Sequence, residues 1–196
     1  MATQMLLLDY ALAPPVVNEG IAFYFANAGC TVHYRQFYPN LVRSDLENYN
    51  VIALLSGRTP AFPSGMMSIH EVALVVEFVQ GGGTLILGPN LEGGEGANER
   101  HLFNRVLAAL GICIRIDNTQ VEDPVNQYAG TLGERPLYCS VSEHPINKDV
   151  AERLAFDRST VLQAGPGASV PLTTFDTEEP YGVRPVVALG KSGKGH

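Results

Sequence analysis

Glu92, Glu95, Glu99 and His101 crowd one short stretch that follows a predicted strand. Carboxylates beside an imidazole can trade protons or hold a metal ion. Their spacing matches no common metal-ligand pattern, so the preferred reading is a solvated loop with acids favouring a helix N-terminus. Cys139 stands five residues before His144, which invites a Cys–His dyad. Such dyads assemble from separate elements, so a half-buried thiol beside a turn is preferred. His144-Pro145-Ile146 reads as a turn, with ligand contact as the lesser alternative. Arg58 follows an apolar run and can meet a carboxylate or hydroxyl ligand, or form a surface ion pair; the two readings weigh equally.

Two glycine-rich stretches carry less. Gly93-Gly94-Glu95-Gly96 lacks the order of a phosphate loop, and its acids repel phosphate. Gly190-Lys191-Ser192 looks like the end of a nucleotide-binding loop, but Pro185 stands where the first glycine belongs and no helix follows.

The elements that must position these residues alternate in type. Met5 to Asp9 is a continuous apolar run, as in a parallel strand buried on both faces. Val16 to Ala28 reads as a helix closing on Gly29. Thr31 to Phe37 alternates as a strand; the aromatics near it, Tyr34, Phe37, Tyr38 and Tyr49, read as sheet packing. Ser44-Asp45-Leu46-Glu47 and Ser68-Ile69-His70-Glu71 are spaced as capping boxes that open helices. Strands are expected over Val51 to Leu55, Thr84 to Leu87 and Ile112 to Ile116. A helix is expected over Asn98 to Leu110, with Leu102, Phe103, Val106, Leu107 and Leu110 on one stripe. This order predicts five parallel strands with right-handed helical crossovers, a three-layer α/β/α flavodoxin-like sandwich.

From residue 118 the text changes. Short β-like pieces (Thr160 to Gln163, Val170 to Phe175, Pro185 to Ala188) sit between Gly- and Pro-rich breaks. They predict a β-rich C-terminal extension, so that 1–117 is a parallel core and 118–196 its addition within a single domain. After Ala188 a Gly/Lys turn leads to no returning strand. That suggests an interrupted hairpin in a fragment of a longer protein, with an unpaired strand edge near Val186.

Composition narrows the functional classes. The 196 residues are 45% hydrophobic and 17% charged, with net charge -7, which excludes disorder and coiled coil. An acidic chain without a Lys/Arg run is a poor partner for nucleic acid. No apolar run is long enough for a membrane helix, and the N-terminus lacks a signal-peptide pattern. Cys30, Cys113 and Cys139 are too few and scattered for a disulfide framework. Cys30 and Cys113 read as buried, inert thiols, and the expected home is a reducing, cytoplasmic one.

In an open parallel sheet, ligands bind beyond the carboxyl ends of the strands, where strand order reverses. If the order begins 2-1-3-4, that point lies between the first and third strands. It gathers Asp9 and Tyr10, Ser56-Gly57-Arg58, and Gly88-Pro89-Asn90-Leu91-Glu92.

Here the chain resembles the class I glutamine amidotransferase-like superfamily over about its first 115 residues. Leu54-Leu55-Ser56-Gly57 resembles the third strand and oxyanion loop, and Phe78 through Gly88 resembles the approach to the nucleophile elbow. Glu143-His144-Pro145-Ile146-Asn147, Arg184-Pro185-Val186 and Gly193-Lys194-Gly195 resemble the trehalose-utilisation-type branch. The resemblance implies a Cys on the turn after the fourth strand, its pKa lowered by the following helix, and a His-x-Glu pair. Asn90 holds the nucleophile position instead, and no His-x-Glu occurs.

The expectation is therefore a non-catalytic domain. Its crevice, rimmed by Asp9, Ser56, Arg58, Asn90 and Glu92, with His144 as a further candidate, would bind a small molecule, such as a carbohydrate, or a protein partner. No cofactor is expected. The alternatives are a hydrolase pairing Glu92 or Glu95 with His144 or His101, and an assembly domain of a larger protein that forms homo-oligomers.

Overall fold

A computed structural model describes residues 2–10, 15–36, 41–55, 67–88, 97–120, 123, 125–126, 137–156, 160–175 and 182–196. The chain divides into two compact units, Met1–Gly111 with Lys191–His196, and Ile112–Gly190.

The first unit alternates strand and helix: β1 (Thr3–Asp9), α1 (Pro15–Asn27), β2 (Cys30–Gln36), α2 (Arg43–Asn48), β3 (Val51–Leu55), α3 (Ile69–Gly81), β4 (Thr84–Gly88) and α4 (Ala97–Ala109). The strands form one parallel sheet in the order β2-β1-β3-β4. Strand β1 is central, and Met5 through Asp9 are all buried, which is why its apolar run is unbroken. Met5, Leu7 and Ala53 form a core with Ala22 and Phe25 of α1. Their alternate neighbours Leu6, Leu8, Ile52 and Leu54 are buried as well, while α3 contributes Leu74, Val75, Phe78 and Val79, α4 contributes Phe103, Val106 and Leu107, and Leu110 follows just past its end. The expected strand order and α/β/α layering are both present.

Of the two expected capping boxes, one forms as spaced. Ser68 Oγ accepts from the Glu71 N–H, and Glu71 Oε2 accepts from the Ser68 N–H. Helix α2 starts earlier than its box predicted: Asp45, not Glu47, reaches back, and its Oδ2 accepts from the Val42 N–H at 2.9 Å. An Asp at N3 does the work assigned to the Ser44/Glu47 pair.

The fifth expected strand is not part of the parallel sheet. It forms as β5 (Ile114–Gln120) in the second unit and pairs antiparallel with β8 (Thr160–Ala164). An apolar alternation is compatible with either direction, and no sequence signal told them apart. The rest of that unit is an antiparallel sheet in the order β10-β9-β6-β7, made of β6 (Leu137–Val141), β7 (Arg153–Phe156), β9 (Ser169–Thr173) and β10 (Pro185–Leu189). Cys139, Leu172 and Val186 form its core. This is the expected β-rich C-terminal region.

Strand β10 is the end strand of its sheet, paired with β9 along one side, as the expected edge near Val186 requires. The Val186 side chain is nevertheless buried, and β8 lies near β10 without a ladder to it. Beyond β10 no hairpin partner forms; residues 191–196 join the first unit instead. Ser192 Oγ donates to the Leu110 carbonyl at 2.7 Å, and the Lys194 N–H donates to the Gln80 carbonyl. The His196 N–H donates to Gly83 O and its carbonyl accepts from the Leu85 N–H at 2.8 Å. These two bonds flank Thr84 as the rungs of a parallel ladder do. A Cβ on Gly195 would collide with the carbonyl oxygens of Val79 and Gly83, and Gly193 sits at φ 60° with Gln80 against it. The glycines of this segment are thus there for close docking.

Candidate functional site

At the carboxyl ends of β1 and β3, where the sequence places the candidate crevice, the described residues are the last ones of each strand. The Tyr10 N–H donates to the Leu55 carbonyl at 2.9 Å and extends the pairing of β1 with β3 one step past Asp9. Asp9 is fully buried on the α1 side of the sheet, and the Tyr34 phenol donates to its Oδ2 at 2.7 Å. Tyr34 is on that side because β2 alternates: Val32 and Tyr34 both pack with Met5 and Leu7.

Tyr10 ties the carboxyl end of β1 to α3. Its phenol donates to Glu71 Oε1 at 3.3 Å, and the same oxygen accepts from the Leu41 N–H at 3.3 Å. With the Ser68 N–H on Oε2 at 2.8 Å, the buried Glu71 carboxylate takes three donors from three segments. Burial, and then the neighbouring Glu71 charge, raise the Tyr10 pKa well above the ordinary phenol value. Tyr10 is therefore a hydrogen-bond donor at physiological pH and not a base.

Of the sequence-derived candidates, Asp9 is the last residue of β1 and is fully buried, not at a solvent-facing rim. Ser56, Arg58, Asn90 and Glu92 lie outside the described residues, as does Glu95; so do the side chains of Glu99 and His101. His144 belongs to the second unit, where its Nδ1 accepts from the Ile146 N–H at 3.2 Å and caps the short 3-10 turn Pro145–Asn147. That is the turn-shaping role expected of it. The residues that sequence reasoning missed are Tyr34 and Glu71. The box spacing did mark Glu71, but only as a cap; its second oxygen serves Tyr10 and Leu41.

Cys139 is fully buried in β6, deeper than the half-buried reading. Burial, and then the Asp123 charge, push its thiol up to about 11. Cys113 is exposed, which corrects its buried reading: it alternates with Ile114 and so points away from the core. Among the described residues no group of His, Cys, Asp and Glu is arranged to hold a metal ion.

A separate cleft of about 540 Å³ opens at the amino ends of β3 and β4. Tyr49, Asn50, Phe78 and Gly81 to Gly83 line it, and Arg43 is paired with Glu77 at its wall. Both of those side chains are exposed, so the pair is worth little.

No family model and no curated protein matches the chain. Solved structures do. The mmIFT52 N-terminal domain superposes with TM-score 0.68 at 14% identity, covering 95% of this chain and 78% of that one. A ThuA-like protein from Bacteroides uniformis gives 0.53 at 17% identity, covering 98% and 78%. A glutamine amidotransferase from Thermotoga maritima gives 0.52 at 11% identity, covering 99% and 73%. The chain has a glutamine amidotransferase-like fold. At these identities the likeness extends to the fold and no further. Among the described residues no helix is long and apolar enough to cross a membrane.

Proposed function

We propose that this amidotransferase-like domain is non-catalytic and works by binding a small polar ligand in the crevice at the carboxyl ends of β1 and β3. The observation that carries the reading is the place where β4 stops. It ends at Gly88, and the next residues are Pro89, Asn90, Leu91 and Glu92; none of the three cysteines lies between β4 and α4. An amide at the elbow cannot form the thioester that glutamine hydrolysis needs. The acids at the crevice support the same reading. Asp9 and Glu71 each accept hydrogen bonds that fix them in place, which suits a rigid floor better than proton transfer. Arg58 and Asn90 are the side chains assigned to the ligand, the first for a carboxylate or hydroxyl and the second as an amide donor and acceptor.

Ammonia release from glutamine tests the absence of catalysis. The wild-type protein should release none above buffer. Release that disappears in an Asn90→Ala variant would overturn the reading.

A second reading, an assembly domain, has its own observation. It rests on the exposed apolar residues Phe23 and Tyr24 of α1.

A further inference from the structure

The two end strands of the parallel sheet differ in kind. Strand β2 carries Thr31, His33, Arg35 and Gln36, with Thr31 and His33 exposed. Polar and charged side chains are a common guard on a sheet edge. Strand β4, at the other end, is Thr-Leu-Ile-Leu-Gly, with no charge and no proline. That is the composition of a parallel strand covered on both faces. Yet Thr84 through Gly88 are only half-buried, whereas Met5 through Asp9 of the central β1 are buried. Ile86 packs with Met5, Leu7 and Ala53, and Leu85 and Leu87 alternate to the opposite face. Strand β4 thus has the residues of an internal strand in an end position.

The first rungs on the outer edge of β4 are already made. The Thr84 N–H donates to the Asn50 carbonyl on the β3 side, so the alternation turns the backbone groups of Leu85 and Leu87 outward. The His196 N–H donates to the Gly83 carbonyl, and the His196 carbonyl accepts from the Leu85 N–H. His196 therefore lies opposite Thr84 in parallel register. The next rungs of that ladder are the Leu85 carbonyl, the Leu87 N–H and the Leu87 carbonyl. Among the described residues none of these three groups has a partner.

We propose that the outer edge of β4 from Leu85 to Gly88 is a docking site for an extended apolar segment of a partner protein, which adds to the sheet as a strand parallel to β4. His196 supplies the direction and the register, since extended backbone already pairs with this edge in that sense. The partner residue opposite Ile86 donates its N–H to the Leu85 carbonyl and accepts from the Leu87 N–H. The one opposite Gly88 donates to the Leu87 carbonyl. Side-chain chemistry follows from the two faces. A residue opposite Ile86 extends the core of Met5, Leu7 and Ala53, and its neighbours along the strand cover Leu85 and Leu87. Successive β-branched apolar residues suit such an edge, and a charge at its centre does not. Main-chain bonds give a strand addition its affinity and the side chains its specificity. The site does not rest on the crevice reading.

Hydrogen exchange on the wild-type protein, titrated with a capped peptide, tests the site without altering the fold. The peptide has a Val-Ile-Val centre flanked by Thr, with a Lys at each end to suit the net charge of -7. At about ten times its Kd, exchange of the Leu87 amide should slow about tenfold, while the amides of β2 keep their rates. A methyl group on the nitrogen of the central Ile removes the donor to the Leu85 carbonyl and should abolish the effect. The same methyl on the preceding Val, whose N–H points away from β4, should leave it. No slowing at Leu87 would overturn the proposal. So would equal slowing at β2, or an effect that survives methylation of the Ile. The crevice reading is tested by small ligands and is untouched by any of these results.

Discussion

Arg35 on β2 grips Asp45 on α2 through two parallel hydrogen bonds, Nη2 to Oδ1 at 2.7 Å and Nη1 to Oδ2 at 2.8 Å. The pair ties an edge strand of the parallel sheet to the helix that follows it, and both side chains are largely covered. Burial alone would push the Asp45 pKa up. The Arg35 bonds and the Val42 N–H outweigh it and hold the carboxyl below the ordinary value. A carboxylate with a depressed folded pKa contributes stability that is present above its unfolded value of about 3.9. That stability is lost as the pH falls through the folded pKa. Arg35→Ala should lower stability by about 1–3 kcal/mol at neutral pH, because a covered carboxylate loses its main partner. The loss of stability between neutral pH and about pH 3 should also be smaller in the variant. Urea unfolding across that pH range checks both, and parallel curves for the two proteins would count against the pair's role.

The C-terminal segment should depend on its glycines. Gly195→Ala forces a methyl group against the Val79 and Gly83 carbonyls, and such overpacking typically costs about 1–3 kcal/mol. Hydrogen exchange at the Leu85 amide reads the docking directly, since that N–H is held by the His196 carbonyl. Its protection should fall in Gly195→Ala. Ser192→Ala, which removes only the bond to Leu110, should cost about 1 kcal/mol. A Leu85 amide as protected in Gly195→Ala as in the wild type would contradict this account of the segment.

Substitutions around Glu71 should follow a definite ranking. Tyr10→Phe removes one donor and should cost about 0.5–1.5 kcal/mol. Ser68→Ala removes the cap and should cost about 1 kcal/mol. Glu71→Ala strands the Ser68 N–H and the Leu41 N–H together and takes an acceptor from the Tyr10 phenol, and a stranded buried group costs about 1–3 kcal/mol. It should therefore be the most damaging of the three by chemical denaturation. Equal losses in Glu71→Ala and Tyr10→Phe would mean that the carboxylate does not join these segments.

The cysteines should separate cleanly in a labelling experiment. With iodoacetamide at about pH 8, Cys113 should be modified in the native protein, because it is exposed. Cys139, buried and pushed up to about 11, should label only on unfolding. Peptide mass spectrometry distinguishes the sites, and fast native labelling of Cys139 would show that β6 opens.

The parallel sheet was legible because its strands are buried on both faces and its helices are capped by spacing; Met5 to Asp9 and the Ser68/Glu71 box are the clearest signals. The direction of β5 was not legible, since the Ile114/Ile116 alternation suits either neighbour. The course of residues 191–196 was hidden for a different reason. Gly193 and Gly195 read as turn glycines, and only a structure shows which carbonyls lie where their side chains would be. The place of Asp9 at the carboxyl end of β1 followed from its apolar run alone. Tyr34 and Glu71 did not, because each acts across elements far apart in sequence.

The central claim, that the crevice binds and does not catalyse, is tested most directly by thermal unfolding of the wild-type protein and an Arg58→Ala variant against sugars, amino acids and nucleotides. A ligand present at about 100 times its Kd adds roughly 2.7 kcal/mol, or about 5–10 °C for a chain of this size. The account predicts such a shift for at least one small polar ligand in the wild type, and its loss in the variant. A flat panel, or a shift that survives Arg58→Ala unchanged, would contradict it.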